Sequence, residues 1–148
     1  MAVGNKESYS AWQAFIRDMQ KRNLPVPVLI TTDGAPGLVR AVEEAWASSL
    51  RQRCLAHKIR NVIDKVPDHA REEVKAMVRS AYYAPNRDVG EMIAEDLLDR
   101  YQDLYPSAMR SFVDDLEACW AYLNCPAVHH RRIRTTNLLE RAFVEQRR

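Results

Sequence analysis

The 148-residue sequence has no apolar run approaching the ~18 residues of a membrane-spanning helix, and its N-terminus lacks a secretory signal layout. Cysteine is scarce. Cys54, Cys119 and Cys125 are odd in number and follow no framework spacing, which argues against a disulfide scaffold and predicts a reducing, cytoplasmic setting. Glycine is scarcer than in loop-rich proteins, with four residues, and no repeat or low-complexity tract interrupts the chain. A formal net charge of +2 is too small to specify a partner.

The distribution of charge says more. Residues 49–65 carry Arg51, Arg53, Lys58, Arg60 and Lys65 against Asp64 alone, and residues 129–148 carry six arginines against Glu140 and Glu145. Between them, residues 84–117 hold nine acids and three arginines. Two basic segments flanking an acidic one suit a polyanion-binding face with a solvated back. Ordinary surface charge produces the same count, and both readings stay open at this level.

"ESYSAWQAFIRDMQKRN" places Trp12, Phe15, Ile16 and Met19 at helical spacing, closed by Asn23 and Pro25. "VPVLITT" is a short apolar run rich in β-branched residues and predicts a strand covered on both faces. "APGLVRAVEEAWA" predicts a helix burying Leu38, Val42 and Trp46 or their neighbours. "SLRQRCL" alternates Leu50, Gln52 and Cys54 with arginines, as a half-buried strand does, before the helical "HKIRNVIDKV". Residues 68–83, 86–104 and 107–123 each read as an amphipathic helix, with breaks near Pro85 and Pro106. "CPAVHHRRIRTT" reads as a loop, and Thr136 or Asn137 can cap a final helix, "LLERAFVEQRR". The predicted class is α/β and mainly helical. Two strands alone make a marginal sheet, so the pattern matches the latter part of a larger α/β domain.

Asp33 falls at the carboxyl end of the first predicted strand, where open α/β sheets collect their ligands. It either grips a metal ion or caps the helix beginning near Pro36. Cys54 and His57 form a C-x2-H pair, short of the four ligands of a structural zinc site. Cys119, Cys125, His129 and His130 are possible distant partners; the alternative is a core cysteine beside a polar histidine at a strand–helix junction. Glu140, with Arg141, Arg147 and Arg148, has the composition of a solvated helix face. His129 and His130, beside Arg131, Arg132 and Arg134, either contact phosphates or lie in a flexible loop.

Four stretches, "GNKESYSAWQAFIRDMQKRNL", "TDGAPGLVRAVEEAW", "LRQRCLAHKIRNVIDKVP" and "IRTTNLLERAFVEQRR", resemble in order the Mutator-type transposases of bacterial insertion sequences. The resemblance covers most of the chain and implies a ribonuclease-H-like fold with an Asp-Asp-Glu triad binding two divalent ions, Mg²⁺ or Mn²⁺. Asp33 matches the second aspartate of that triad and Glu140 its glutamate, which makes both of them expected catalytic and metal-binding residues. Cys54 and His57 match the family's C-x2-H signature. Residues 1–67 then form part of the core with its last two strands, 68–124 an all-helical insertion, and 125–148 a basic loop and the glutamate-bearing helix.

The first aspartate of such enzymes lies ahead of the segment matching "VGNKES", so the resemblance predicts a C-terminal part of a catalytic domain, inactive alone. It also implies double-stranded DNA as partner (terminal inverted repeats and target), a homo-oligomeric intact enzyme and association with the nucleoid. Arg132, Arg134, Arg141 and Arg147 are the expected DNA contacts. Two other readings remain: a non-catalytic DNA-binding or inhibitory fragment, and a zinc-stabilised helical interaction module built on Cys54 and His57.

Overall fold

A computed structural model describes residues 8–146. Helix α1 (Tyr9–Lys21) starts where the Ser8 hydroxyl accepts a hydrogen bond from the Ala11 N–H, and it ends before Asn23, whose φ of 63° is left-handed. Its buried face is narrower than the sequence predicts. Ile16 is fully buried and Trp12 and Met19 partly so, while Phe15 is 52% exposed. Trp12, Ile16 and Met19 repeat at i, i+4 and i+7, which leaves Phe15 on the flank of that stripe.

The stripe packs on Ala41, Val42 and Trp46 of α2 (Pro36–Ala45) and the residue that follows it, with Ile30 of β1 (Leu29–Thr32) beneath. The two-stranded sheet pairs β1 in parallel with β2 (Leu50–Arg53), Thr31 opposite Gln52, and α2 is the crossover. The expectation that β1 is covered on both faces does not hold. Only Thr32 is buried, and Val28 just ahead of it is 77% exposed. Among the described residues no strand lies along the second edge of β1, so its side chains keep partial access to solvent.

β2 differs from a half-buried strand in an instructive way. Gln52 and Cys54 are buried as the alternation predicts, but Leu50 is exposed and the intervening arginines are largely covered. Arg51 forms a two-pronged pair with the Asp115 carboxylate at 2.6 and 2.7 Å and also reaches Glu43, while Arg53 approaches Asp115 at 3.5 Å. Gln52 is fully satisfied: its amide donates to the carbonyls of Arg53 and Cys119 and accepts from the Tyr122 N–H.

Helix α3 (Leu55–Ile63) leads into a bundle of α4 (Arg71–Tyr82), α5 (Arg87–Tyr101) and α6 (Pro106–Val113). One apolar core runs from Leu55 and Val62 through Val74, Val78 and Leu97 to Phe112 and Tyr122. Its polar groups are paired: Tyr82 donates to the Phe112 carbonyl, Tyr122 to that of Tyr82, and the Trp120 indole to that of Ala81. Gly90 gives α5 its close approach, since a Cβ there would lie 2.9 Å from the Trp120 ring.

The continuous helix expected over 107–123 is broken. Asp115 adopts a left-handed φ of 57°, and α6 gives way to the short α7 (Leu116–Cys119) and a 3-10 turn at Ala121–Asn124. Aspartate tolerates this conformation, and the bend turns its carboxylate onto Arg51. The predicted loop at 125–136 is also corrected, because Ala127–Ile133 forms helix α8. α8 buries none of its residues completely, so it leaves no apolar stripe in the sequence to reveal it. The final helix, α9 (Asn137–Gln146), forms as expected. Among the described residues no helix is long and apolar enough to cross a membrane.

Burial pushes the Asp115 carboxyl up, but the hydrogen bonds and charges of Arg51, with Arg53 and Lys58 behind, outweigh it and hold the group below its ordinary value. A depressed carboxylate contributes stability in full above its unfolded pKa of about 3.9, and loses it as pH falls through the folded value. Asp115→Asn, which keeps the tolerance for left-handed φ, is expected to cost about 1–3 kcal/mol at neutral pH in urea melts. That deficit should vanish in acid below the folded pKa; a deficit of equal size in acid would show that the charge is not its source.

Candidate active site

Each strand of the parallel sheet ends in a candidate residue. Asp33 follows β1 and is exposed; its Oδ1 accepts the Ala35 N–H at 2.9 Å, so it forms the Asx turn that starts α2 at Pro36. Gly34 behind it has φ 91°, and a Cβ there would overlap the Arg53 guanidinium. The left-handed backbone favours glycine at this position, and a side chain there would have to displace the Arg53 guanidinium.

Cys54 follows β2, its N–H bonded to the Thr32 carbonyl at 2.7 Å, and it is completely buried. Its sulfur faces the Nδ1 of His57 at 3.2 Å, one turn along α3, and receives Thr136 N at 3.3 Å and Thr136 Oγ1 at 3.4 Å. Thr136 Oγ1 also lies 3.1 Å from Glu140 Oε1, and His57 Nε2 lies 3.5 Å from the same oxygen. The single Thr136 hydroxyl proton serves one of its two acceptors, the sulfur or the carboxylate. An imidazole proton on Nδ1 points at the Cys54 sulfur, and one on Nε2 points at Glu140.

The connection between α8 and α9 is held to the carboxyl end of the sheet by further polar contacts. Thr31 Oγ1 donates to the Ile133 carbonyl, and the Leu55 N–H donates to that of Arg134 at 2.9 Å. Burial raises the Cys54 thiol, but hydrogen bonds from Thr136 and His57 together outweigh that and leave it below its ordinary value. For Cys119 burial wins instead and pushes the thiol up to about 12.

The structure thus assembles Cys54, His57 and Glu140, and adds Thr136, which the sequence offers only as a cap. Asp33 shares the same end of the sheet, but no hydrogen bond or ion pair joins it to Glu140 among the described residues. The expected DNA contacts separate. Arg132 and Arg141 are exposed, whereas the Arg134 guanidinium lies 4.3 Å from the centroid of the Tyr83 ring. Arg147 lies outside the described residues. His130 bonds the Cys125 carbonyl at 2.7 Å instead of approaching Cys54.

Carboxylate oxygens are the hard donors that Mg²⁺ and Mn²⁺ prefer. Among the described residues, however, no group of three or more His, Cys, Asp or Glu side chains converges as a metal site. Among these residues the donors do not complete a divalent-metal centre, and Cys54 and His57 acquire no further zinc ligands.

The family model of Mutator transposases matches residues 1–148. The chain belongs to the Mutator transposase family. This Mutator-family chain is 34% identical over 145 residues to the transposase for insertion sequence element IST2 of Acidithiobacillus ferrooxidans, covering 97% of the chain and 49% of the relative. It is 32% identical over 144 residues to the IS6120 transposase of Mycolicibacterium smegmatis, covering 97% and 45%. With the transposase of IS256 in transposon Tn4001 of Staphylococcus aureus the identity is 30% over 150 residues, covering 99% and 38%. The chain spans about half, or less, of the length of these relatives.

Cys54→Ala removes the acceptor shared by the Thr136 N–H and hydroxyl, at an expected cost of about 1–3 kcal/mol. Amide exchange should quicken at Thr136 and Glu140 while the β1–β2 amides keep their protection. Uniform acceleration across the sheet would mean that Cys54 serves the whole core and not this junction.

Proposed function

We propose that this chain is the part of an insertion-sequence transposase that supplies two carboxylates, Asp33 and Glu140, for phosphodiester cleavage and strand transfer. In this reading the core is ribonuclease-H-like, residues 68–124 are its helical insertion, and a further aspartate outside this chain completes an Asp-Asp-Glu set. The observation that supports it best is the reach of Glu140, through His57 and Thr136, to the end of the sheet that carries Asp33. Carboxyl ends of parallel strands are where open α/β sheets place their chemistry.

The chain's own residues have distinct tasks in this proposal. Cys54 orients Thr136, and Thr136 with His57 fixes one oxygen of Glu140, leaving the other free. Gly34 and the Asx turn set the direction of Asp33. Mg²⁺ or Mn²⁺ is the cofactor of the intact, homo-oligomeric enzyme, whose substrate is double-stranded DNA at terminal repeats and target. The incomplete donor set favours a second reading for the isolated chain, which is DNA binding without cleavage.

In a full-length transposase carrying this segment, Asp33→Ala and Glu140→Gln should each abolish nicking of terminal-repeat DNA. The loss should exceed the ~10–100-fold expected for a residue that only orients a ligand, such as His57. The 148-residue chain alone should not nick the same DNA with Mg²⁺ or Mn²⁺. Nicking that survives Asp33→Ala in the full-length protein would sink the assignment.

A further inference from the structure

We infer that the groove between α3 and α4 is a binding track for the phosphate backbone of DNA, leading to Glu140; this rests on the transposase reading above. The groove has a volume of about 340 Å³ and is lined by Arg60 and Asp64 at the α3 side, Lys75, Arg79 and Tyr83 at the α4 side, and Asn137. Three cations therefore face one carboxylate.

These cations are distinguished by being gathered in one concavity without an acid of their own; exposed Arg17, Lys21 and Arg132 also lack an ion pair among the described residues but do not line the groove. Arg51, Arg53 and Lys58, which dominate the first basic segment of the sequence, turn inward onto Asp114 and Asp115. Arg87 and Arg100 pair with acids on the acidic side of the bundle. Arg60, Lys75 and Arg79 are exposed and make no ion pair among the described residues. Unpaired guanidinium and ammonium groups converging on one concavity attract an anion with little competition from the protein's own acids.

Tyr83 organises the track. The Arg79 and Arg134 guanidinium groups lie 5.0 and 4.3 Å from its ring centroid, so an aromatic ring holds both cations beside the groove. Lys75 and Arg79, four residues apart on α4, project on one face of that helix, suiting successive phosphates. Asn137 begins α9, one helical turn before Glu140, so the track ends beside the candidate active site. None of this was visible in residues 68–83 as a sequence, where Arg71, Lys75 and Arg79 share an amphipathic segment with Asp68, Glu72 and Glu73.

The test is fluorescence anisotropy of a labelled DNA duplex titrated with the 148-residue chain at several salt concentrations between about 50 and 200 mM. The triple variant Arg60→Ala, Lys75→Ala, Arg79→Ala should bind about tenfold more weakly or worse, and its log–log salt slope should fall by about 2–3. Arg100→Ala, which removes one cation of equal charge from the acidic side, should leave affinity and slope unchanged and so report on general charge effects. Unaltered binding by the triple variant overturns the track while leaving the cleavage test of Asp33 and Glu140 untouched. Equal weakening by Arg100→Ala overturns it too, as does an unsubstituted chain that shows no salt-dependent binding.

Discussion

The two-pronged contact of Arg51 with Asp115 is the interaction on which the rest of the molecule hangs. It joins strand β2 to Asp115, the left-handed residue at the bend between α6 and α7. Partly buried charges of opposite sign are costly to separate, and the neighbours share the load: Arg53 approaches the same carboxylate, and buried Lys58 donates to the Asp114 carbonyl. The bend at Asp115 then permits α7 and the following turn to present the Cys119 carbonyl and Tyr122 N–H to Gln52. Strand β2 is therefore a spine from which successive side chains hold the bundle, the β1 turn and the Glu140 junction.

The candidate active site is built by the same logic of shared polar groups. Cys54 acts as a hydrogen-bond hub, and its depressed thiol pKa follows from the donors around it despite burial. Its partners come from α3 and from the segment before α9, so the C-x2-H pair serves as a clasp between strand end and glutamate helix. Membership of the Mutator family gives the arrangement its context, and the chemistry proposed for it rests on the placement of Asp33 and Glu140.

Much of this was legible beforehand. The βαβ unit, the turn at Asp33 and Gly34 and the terminal helix follow from periodicity and turn chemistry, which are local. What escaped was non-local or unpatterned. An arginine facing a buried carboxylate has the same letter as one facing water, so the basic count over residues 49–65 overstated the charge available to a partner. Helix α8 lacks an apolar stripe, and the break at Asp115 depends on a partner 64 residues away. Asp33, Cys54, His57 and Glu140 were nameable, but Thr136 as their link was not, because nothing in a threonine's neighbours announces that a sulfur will meet it.

The attachment of the α8–α9 segment has a dynamic meaning. Its contacts join positions far apart in sequence, Thr136 lying 82 positions after Cys54 and Ile133 lying 102 after Thr31, and α8 adds no fully buried side chain. Ordering the segment costs conformational entropy, and the compensating contacts are mainly polar, with Ile133 partly packed on the bundle core and His130 and Arg134 against tyrosine rings. The junction is thus the natural place for the molecule to open without unfolding, at a free energy below that of the core. Alignment of Glu140 is then a population of docked molecules, and any ligand touching both α9 and the bundle raises that population in proportion to how strongly it binds.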